Sequence, residues 1–178
     1  VSRPRRTSIC KHTKLDTTPR FTTHHTAMTS CTARGCVFFY GHSKGEHASF
    51  SQFFEATFQD DENNSYCCAE QFMMASKAMC MGDAATLAKI MACGYDPREI
   101  KALGRRVAPY DEAKWNQVRE AVVARGNYLK FTQNKRLSKL LLSTQDLTLV
   151  EAAPNDHIWG IGISVQDAAK GAKWKGSN

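Results

Sequence analysis

Residues 66–78 read Tyr-Cys-Cys-Ala-Glu-Gln-Phe-Met-Met-Ala-Ser-Lys-Ala, and they predict a helix at the centre of the fold. Apolar side chains surround most of this helix, which is typical of a helix buried in a core. Glu70 and Lys77 lie on one face of it, at positions i and i+7. A buried carboxylate is costly unless it is paired or protonated, and such carboxylates are common at functional sites. The stretch therefore indicates either a functional Glu70 or a structural pair of Glu70 with Lys77.

The composition of the 178 residues is that of a globular protein, with 42% hydrophobic and 23% charged side chains. This length suits one domain with a hydrophobic core. No run approaches the roughly 18 apolar residues of a membrane span, so no membrane partner is expected. Seven cysteines without CxxC or Cys/His ligand spacing indicate free thiols and no zinc site. Free thiols are typical of a reducing compartment, so we expect a cytoplasmic protein.

The net charge of +7 is concentrated in residues 1–35, which hold seven Lys or Arg and one Asp. The rest of the chain is nearly neutral, which removes most support for a basic nucleic-acid-binding domain. Residues 1–35 are rich in Thr and Ser and poor in large apolar side chains, which predicts a disordered tail. Their composition also resembles a transit peptide, so an organellar location is the alternative. The folded domain is expected to span residues 36–178.

Periodic apolar residues and helix caps predict four or five helices and a small sheet. Residues 37–40 and 147–152 have the composition of strands. Three aspartates are each placed to cap a following helix, namely Asp83, Asp96 and Asp111. Residues 158–162 are either a Gly-punctuated strand or a tight loop approached closely by backbone or ligand. The prediction is an α+β fold, a mostly helical single domain whose small β-sheet joins both ends of the domain.

Several short motifs follow one another along the chain in a defined order. They include Phe-Phe-Tyr at 38–40, Ala-Glu-Gln-Phe-Met at 69–73, Lys-Trp-Asn at 114–116, Lys-Phe-Thr-Gln-Asn at 130–134 and Asp-His-Ile-Trp-Gly-Ile-Gly at 156–162. The ordered set resembles the NADAR (YbiA-like) family over about residues 37–178. This resemblance implies the α+β fold of that family for the domain.

The resemblance also implies an enzyme, because family members are associated with cleaving N-glycosidic bonds. Their substrates are ribosylamino-pyrimidine phosphates of the early riboflavin pathway or ADP-ribosylated bases. The implied partner is a small ribose-phosphate or ADP-ribosyl substrate, and ADP-ribosylated nucleic acid is a further candidate substrate. No cofactor and no metal are expected. Two alternatives stay open, namely a non-catalytic ADP-ribose or nucleotide-binding module and a regulatory relative that works through its basic tail.

The family's functional positions carry over to matching motif positions of this chain. The implied catalytic residues are Glu70, Asp156 and Trp115. The implied substrate-binding residues are Lys77, Arg105, Glu151, Trp159 and Gly160. Cleaving a ribose C–N bond passes through an oxocarbenium-like transition state, which calls for a carboxylate and a proton donor. Glu70 and Asp156 suit these two roles, and either assignment of acid and base is open.

The chain departs from the family motifs at two positions. Gln71 stands where the family has a His after the motif Glu, and Gln52 replaces the Asn of Phe-Ser-Asn-Phe. Both side chains keep hydrogen-bonding capacity, but loss of the His is expected to alter proton handling or substrate choice. The family usually continues beyond residues 174–178 into a last helix with an Arg, so this helix is expected to be missing here.

Overall fold

The computed structural model describes residues 35–178, so the prediction for the basic tail lies outside the described residues, apart from Gly35. The strands are β1 (Cys36–Phe39), β2 (Phe58–Gln59), β3 (Ser65–Tyr66) and β4 (Thr148–Glu151). The helices are α1 (Ala69–Met81), α2 (Ala84–Ala92), α3 (Pro97–Arg105), α4 (Glu112–Gln133), α5 (Lys135–Ser143) and α6 (Val165–Ala169). The fold is mostly helical with small sheets, as the sequence predicts.

Two separate two-stranded sheets replace the one small sheet of the prediction. β1 and β4 pair in parallel, with Phe39 opposite Glu151, so this sheet does join both ends of the domain. β2 and β3 form an antiparallel hairpin. Parallel strands require a long crossover connection, and here the crossover contains α1 to α5. The five helices α1 to α5 therefore lie, in sequence, between the two strands of one parallel pair.

Helix α1 lies at the centre of the helical layer and packs against α2, α3 and α4. Its buried apolar side chains include Phe72, Met73, Met74, Ala75 and Ala78. They form one hydrophobic cluster with residues from the three neighbouring helices, including Ile90, Ile100, Trp115 and Leu129. A helix surrounded on several faces needs apolar residues around most of its circumference, which is the pattern that residues 66–78 show.

The three predicted helix caps are confirmed. Asp83 accepts a hydrogen bond from the backbone N–H of Thr86, and Asp111 accepts one from Lys114. Asp96 accepts from the backbone N–H groups of the second and third residues of α3, 3.1 Å away in each case. Each cap satisfies N–H groups that have no partner within the helix, which fixes where α2, α3 and α4 begin.

The C-terminal part of the chain contains one short helix that the sequence did not predict. Residues 158–162 form a loop, which is one of the two predictions for this stretch, and the helix α6 follows, capped by Ser164. The Asn178 side chain then bonds to β4, donating to the Leu149 carbonyl and accepting from the Glu151 N–H. Asn178 therefore lies beside β4, whereas Lys175 and Gly176 donate backbone hydrogen bonds to the Ile161 carbonyl.

The cysteines only partly match the prediction of free thiols. Cys67, Cys68, Cys80 and Cys93 are free. Cys36 is disulfide-bonded, so the prediction is wrong at this position. Among the helices of residues 35–178, none is both long enough and apolar enough to cross a membrane.

Gly126→Ala tests the close contact of α4 with α1. A Cβ at this position would lie 2.8 Å from Cδ1 of Phe72, closer than real Cβ contacts, so the ring would have to move. We expect the overpacking to cost about 1–3 kcal/mol, offset by up to about 1 kcal/mol of helix propensity. The free energy of unfolding, measured by denaturant titration, should fall.

Gly94→Ala is the matched control for this variant. Nothing lies within 4 Å of a Cβ placed at Gly94. The same substitution should therefore change the free energy of unfolding by no more than about 0.5 kcal/mol. Equal values for the two variants would contradict the tight packing of Gly126 against Phe72.

Candidate active site

Glu70 is a buried carboxylate in the first turn of α1, with only 2% of the residue exposed. Its backbone N–H donates to the Gln52 carbonyl at 3.0 Å, which ties α1 to the preceding loop. Its Oε1 atom is buried and has no hydrogen-bond partner among residues 35–178. Burial is the main reason that the pKa of Glu70 is raised to about 7. The carboxyl group can therefore be protonated or ionised near neutral pH.

Four charged side chains surround Glu70 and act on its pKa after burial. Lys101 lowers it most, Glu151 and Asp156 raise it, and Arg105 lowers it. Lys101 and Arg105 are four residues apart on α3, so they lie on the same face of that helix. Glu151 ends β4, and Asp156 lies in the turn after it. The start of α1, one face of α3 and the end of β4 thus meet at one place.

Glu151 is a second carboxyl group with a strongly raised pKa. It is half-buried, and burial raises its pKa to about 7, with a further contribution from Asp156 and an opposing one from Lys101. Like charges close together cannot all ionise easily. The cluster of Glu70, Glu151 and Asp156, which we call the acidic cluster, can therefore retain a proton at neutral pH.

Asp156 is held in a fixed orientation by the backbone that follows it. Its Oδ1 accepts hydrogen bonds from the N–H groups of Ile158 and Trp159, at 2.9 and 2.8 Å. Gly160 is buried directly behind this turn: a Cβ there would lie 3.0 Å from the Glu151 carbonyl oxygen and 3.1 Å from that of Asp156. The absence of a side chain at Gly160 therefore lets the two acidic residues approach each other.

Lys77 does not pair with Glu70, so the structural ion pair that the sequence left open is not formed. Its Nζ donates to the Gly104 carbonyl at 2.9 Å and lies 4.4 Å from the centre of the Tyr110 ring. In the described chain the salt bridge within 4.0 Å is between Arg125 and Asp61. Burial, followed by the charge of nearby Arg105, lowers the pKa of Lys77.

The two tryptophans with implied roles have different surroundings. Trp115 is 7% exposed near the start of α4 and belongs to the main hydrophobic cluster. Trp159 is half-buried at the edge of that cluster, with the Arg119 guanidinium 5.7 Å from its ring centre. No hydrogen bond joins Trp115 to the acidic cluster in residues 35–178. The structure thus brings Glu70, Glu151, Asp156 and Arg105 together and leaves Trp115 in the core.

Sequence reasoning missed Lys101, the cation with the largest effect on Glu70. Its Nζ lies 5.3 Å from the centre of the Phe53 ring, so it also contacts the aromatic loop before α1. The available signal was its spacing of four residues from Arg105, which places both on one helix face. A solvent-facing lysine on a helix can have the same spacing, so only the folded structure shows that Lys101 lies near Glu70.

Gln71, which replaces the family His, has a structural role. Its Oε1 accepts from the Cys67 N–H at 2.8 Å. Its Nε2 donates to the carbonyls of Ile90 and Cys93 at 2.9 and 3.1 Å. The amide therefore joins the start of α1 to the end of α2, and none of these three hydrogen bonds involves the Glu70 carboxyl group.

Two further observations concern metal binding and the position of the main cleft relative to the acidic cluster. No group of three or more His, Cys, Asp or Glu side chains among the described residues is arranged to hold a metal ion. A cleft of about 770 Å³ lies elsewhere, between the loop around residues 45–56 and the start of α5. None of the members of the acidic cluster lines it. The acidic cluster and this cleft are separate features.

Comparison with known proteins assigns the fold to a family. The profile of the NADAR domain matches residues 38–178. The chain belongs to the NADAR domain family. The resemblance of its motifs to this family is thereby confirmed.

Named relatives of this NADAR protein include two N-glycosidases. N-glycosidase R617 of Acanthamoeba polyphaga mimivirus is 44% identical over 151 residues, which is 80% of this chain and 88% of that protein. N-glycosidase Npun_R5314 of Nostoc punctiforme is 30% identical over 103 residues, or 58% of this chain and 65% of that protein. The NMR structure of the E. coli protein YbiA superimposes with a TM-score of 0.64 at 24% identity, over 80% of this chain and 83% of YbiA. This chain and YbiA therefore share a fold.

Glu70→Gln should change how stability depends on pH. Because the folded-state pKa of Glu70 is raised from 4.5 to about 7, the folded protein holds this proton more tightly than the unfolded chain. The contribution of the Glu70 carboxyl group to stability is complete below about pH 4.5 and is lost as the pH rises through about 7. The Gln variant avoids this loss. It should gain stability relative to the wild type as the pH rises, by about 2–3 kcal/mol at about pH 8.

The comparison is made by denaturant titration of both proteins across this pH range. Glu62→Gln is the matched control, since Glu62 is an exposed side chain. Its difference from the wild type should stay nearly constant with pH. A constant difference for Glu70→Gln as well would show that the Glu70 carboxyl group is ordinarily solvated.

Proposed function

We propose that this NADAR protein is an N-glycosidase, which hydrolyses the C–N bond between a ribose phosphate, or ADP-ribose, and a base or amine. The observation that carries the proposal is the buried Glu70 carboxyl group, which lies beside Glu151 and Asp156 and has no hydrogen-bond partner on Oε1 in the described part of the chain. The 44% identity to N-glycosidase R617 supports the same activity.

Glu70 is suited to proton transfer in this reaction. Breaking a ribose C–N bond requires a proton for the leaving nitrogen, a water molecule for the ribose carbon, and stabilisation of an oxocarbenium-like transition state. A general acid works best with a pKa near the working pH, and the pKa of Glu70 is raised to about 7. We assign Glu70 to donating the proton to the leaving group or to accepting one from the attacking water.

Asp156 is suited to stabilising the positive charge that develops on the ribose. Two backbone N–H groups hold its Oδ1, so the carboxylate is oriented before the substrate arrives. Preorganised charges of this kind stabilise a transition state without reorganising during the reaction. Glu151 lies close enough to raise the pKa of Glu70, and we assign it to contacting the ribose hydroxyls.

The residues around the acidic cluster provide groups for the rest of the substrate. We assign Arg105 and Lys77 to the phosphate, because guanidinium and ammonium groups bind phosphate oxygens through charge-assisted hydrogen bonds. The half-buried ring of Trp159 is placed for stacking on an aromatic base. Trp115 supports the site from the hydrophobic cluster, and Gly160 permits the close turn.

The proposed substrates are the two classes associated with the family. One is a ribosylamino-pyrimidine phosphate, and the other is a base, such as guanine, that carries ADP-ribose. Acid, base and phosphate ligands are all side chains of this chain, so the proposed reaction uses no cofactor. Both classes share the ribose C–N bond and a nearby phosphate, which are the features that these side chains address.

Glu70→Gln should abolish turnover while the protein stays folded. Removing a group that transfers a proton in the transition state typically costs about 10²–10⁴-fold in rate. The assay incubates the protein with each substrate separately and measures free base and free ribose phosphate by mass spectrometry. Glu62→Gln, which changes an exposed Glu in the same way, should retain wild-type turnover.

Two outcomes would contradict the proposal. Full activity of Glu70→Gln would remove Glu70 from the mechanism, and Asp156→Asn would then identify whether the second carboxylate is required. A wild type that turns over neither substrate but binds ADP-ribose would favour a non-catalytic nucleotide-binding module. Melting curves of each variant confirm that a loss of turnover is not a loss of folding.

A further inference from the structure

Two adjacent cysteines precede the helix that carries Glu70. The sulfur atoms of Cys67 and Cys68 are 3.9 Å apart, and both thiols are free. Cys67 is partly exposed, whereas Cys68 is fully buried, and Cys68 is the N-cap residue of α1. The two sulfurs are already in contact, and a disulfide bond would bring them to about 2.05 Å.

The two thiols differ in reactivity. The hydrogen bond between them is the main reason that the pKa of Cys67 is lowered and the pKa of Cys68 is raised. The thiolate is the reactive form of cysteine, and oxidation selects exposed thiols with thiolate character. Cys67 therefore reacts first with an oxidant that arrives from solvent, and Cys68 is positioned to react with the product.

The backbone around the two cysteines is bonded directly to the elements that hold Glu70. The Cys67 N–H donates to Gln71 Oε1, and the Cys67 carbonyl accepts from the Ala56 N–H at 2.9 Å. Glu70 itself is two residues after Cys68. A change in the backbone at Cys67 and Cys68 therefore displaces the first turn of α1.

We propose that Cys67 and Cys68 form a modification site at which a peroxide joins the two sulfurs and lowers turnover at Glu70. The Cys67 thiolate attacks one peroxide oxygen, the O–O bond breaks, and Cys67 becomes a sulfenic acid; the hydroxide that leaves takes up the proton that the Cys67 thiol had lost and becomes the first water. The Cys68 sulfur then attacks the Cys67 sulfur, the S–O bond breaks, and the leaving hydroxide takes the Cys68 thiol proton and becomes the second water. The two sulfurs are oxidised to one disulfide, and hydrogen peroxide is reduced to two waters.

The bond between neighbouring residues is strained, which makes the modification reversible. Consecutive Cα atoms are about 3.8 Å apart, below the usual range of about 4.4–6.8 Å for disulfides. Strained disulfides are reduced more easily and belong to the labile class. A disulfide between adjacent residues closes a small ring through their backbone, so its formation must also twist the backbone at the N-cap of α1. The effect on turnover rests on the proposed function, whereas formation of the bond does not.

Mass spectrometry tests the bond directly. Trypsin cuts after Lys44 and next after Lys77, so one peptide, 45–77, contains Cys67 and Cys68 as its only cysteines. After treatment of the full chain with hydrogen peroxide and alkylation of free thiols, this peptide should lack two hydrogens and carry no alkyl group. Dithiothreitol should restore both thiols. Oxidised methionines in the peptide gain oxygen instead and are not reduced by this treatment.

Cys80→Ser is the matched control and Cys68→Ser the test variant. Cys80 is a partly exposed free thiol on the same helix, so its loss should leave formation of the bond unchanged. Cys68→Ser should form no bond in peptide 45–77. In the wild type and in Cys80→Ser, oxidation should lower turnover by about tenfold or more, and dithiothreitol should restore it. Amide hydrogen exchange in the first turn of α1 should rise at the same time.

Three results would overturn the inference. These are a wild-type peptide that loses no hydrogens, a bond from Cys67 to Cys93 in place of Cys68, and a bond that leaves amide exchange and turnover unchanged. Failure of the proposed function is recognised separately. If the reduced wild type turns over neither substrate, the peptide mass and the amide exchange still decide whether the bond forms and disturbs α1.

Discussion

The structure depends on the burial of the Glu70 carboxyl group, which has no salt-bridge partner within residues 35–178. Glu70 is fixed in α1, and α1 is packed against three other helices, so the side chain cannot turn out to solvent without disrupting the main hydrophobic cluster. Burial of a charge is costly unless it is paired or neutralised. Protonation of the Glu70 carboxyl group removes this cost, and it occurs readily because burial raises the pKa of Glu70 to about 7. The central helix thus carries one of the two carboxyl groups whose pKa is raised to about 7.

The acidic cluster requires the two ends of the domain to come together. The parallel pairing of β1 with β4 sets Glu151 opposite Phe39, and the turn after β4 places Asp156 in the acidic cluster. Gly160 then allows the backbone of this turn to approach Glu151 closely. Since the helices lie between the two strands in sequence, the site is complete only when the whole crossover has folded.

Local signals predicted much of the fold, and long-range proximity accounts for what they missed. The caps at Asp83, Asp96 and Asp111 are local hydrogen bonds, so sequence reveals them directly. The effect of Lys101 on Glu70, and the bonds from Gln71 to the end of α2, arise only when separate elements pack together. Helix α6 has five residues, too few for a periodic apolar pattern. The motif positions of Glu70 and Asp156 were recognisable from family resemblance, but the buried state of Glu70 and the orientation of Asp156 required the fold.

The position of Glu70 in the first turn of α1 sets two effects against each other. A helix N-terminus favours a carboxylate by about 0.3–1 kcal/mol, and up to about 2 kcal/mol when partly buried. The rise in pKa from 4.5 to about 7 corresponds to roughly 3 kcal/mol in the opposite direction, so burial and the neighbouring carboxylates outweigh the dipole, Lys101 and Arg105 together. A substrate phosphate bound at Arg105 would cancel part of that cation's influence and keep Glu70 protonated. The developing oxocarbenium charge would act in the reverse direction and favour release of the proton to the leaving nitrogen. If Glu70 is the proton donor of the proposed reaction, it would thus be held protonated before bond cleavage and made more acidic during it, which is the order that protonation of a leaving nitrogen requires.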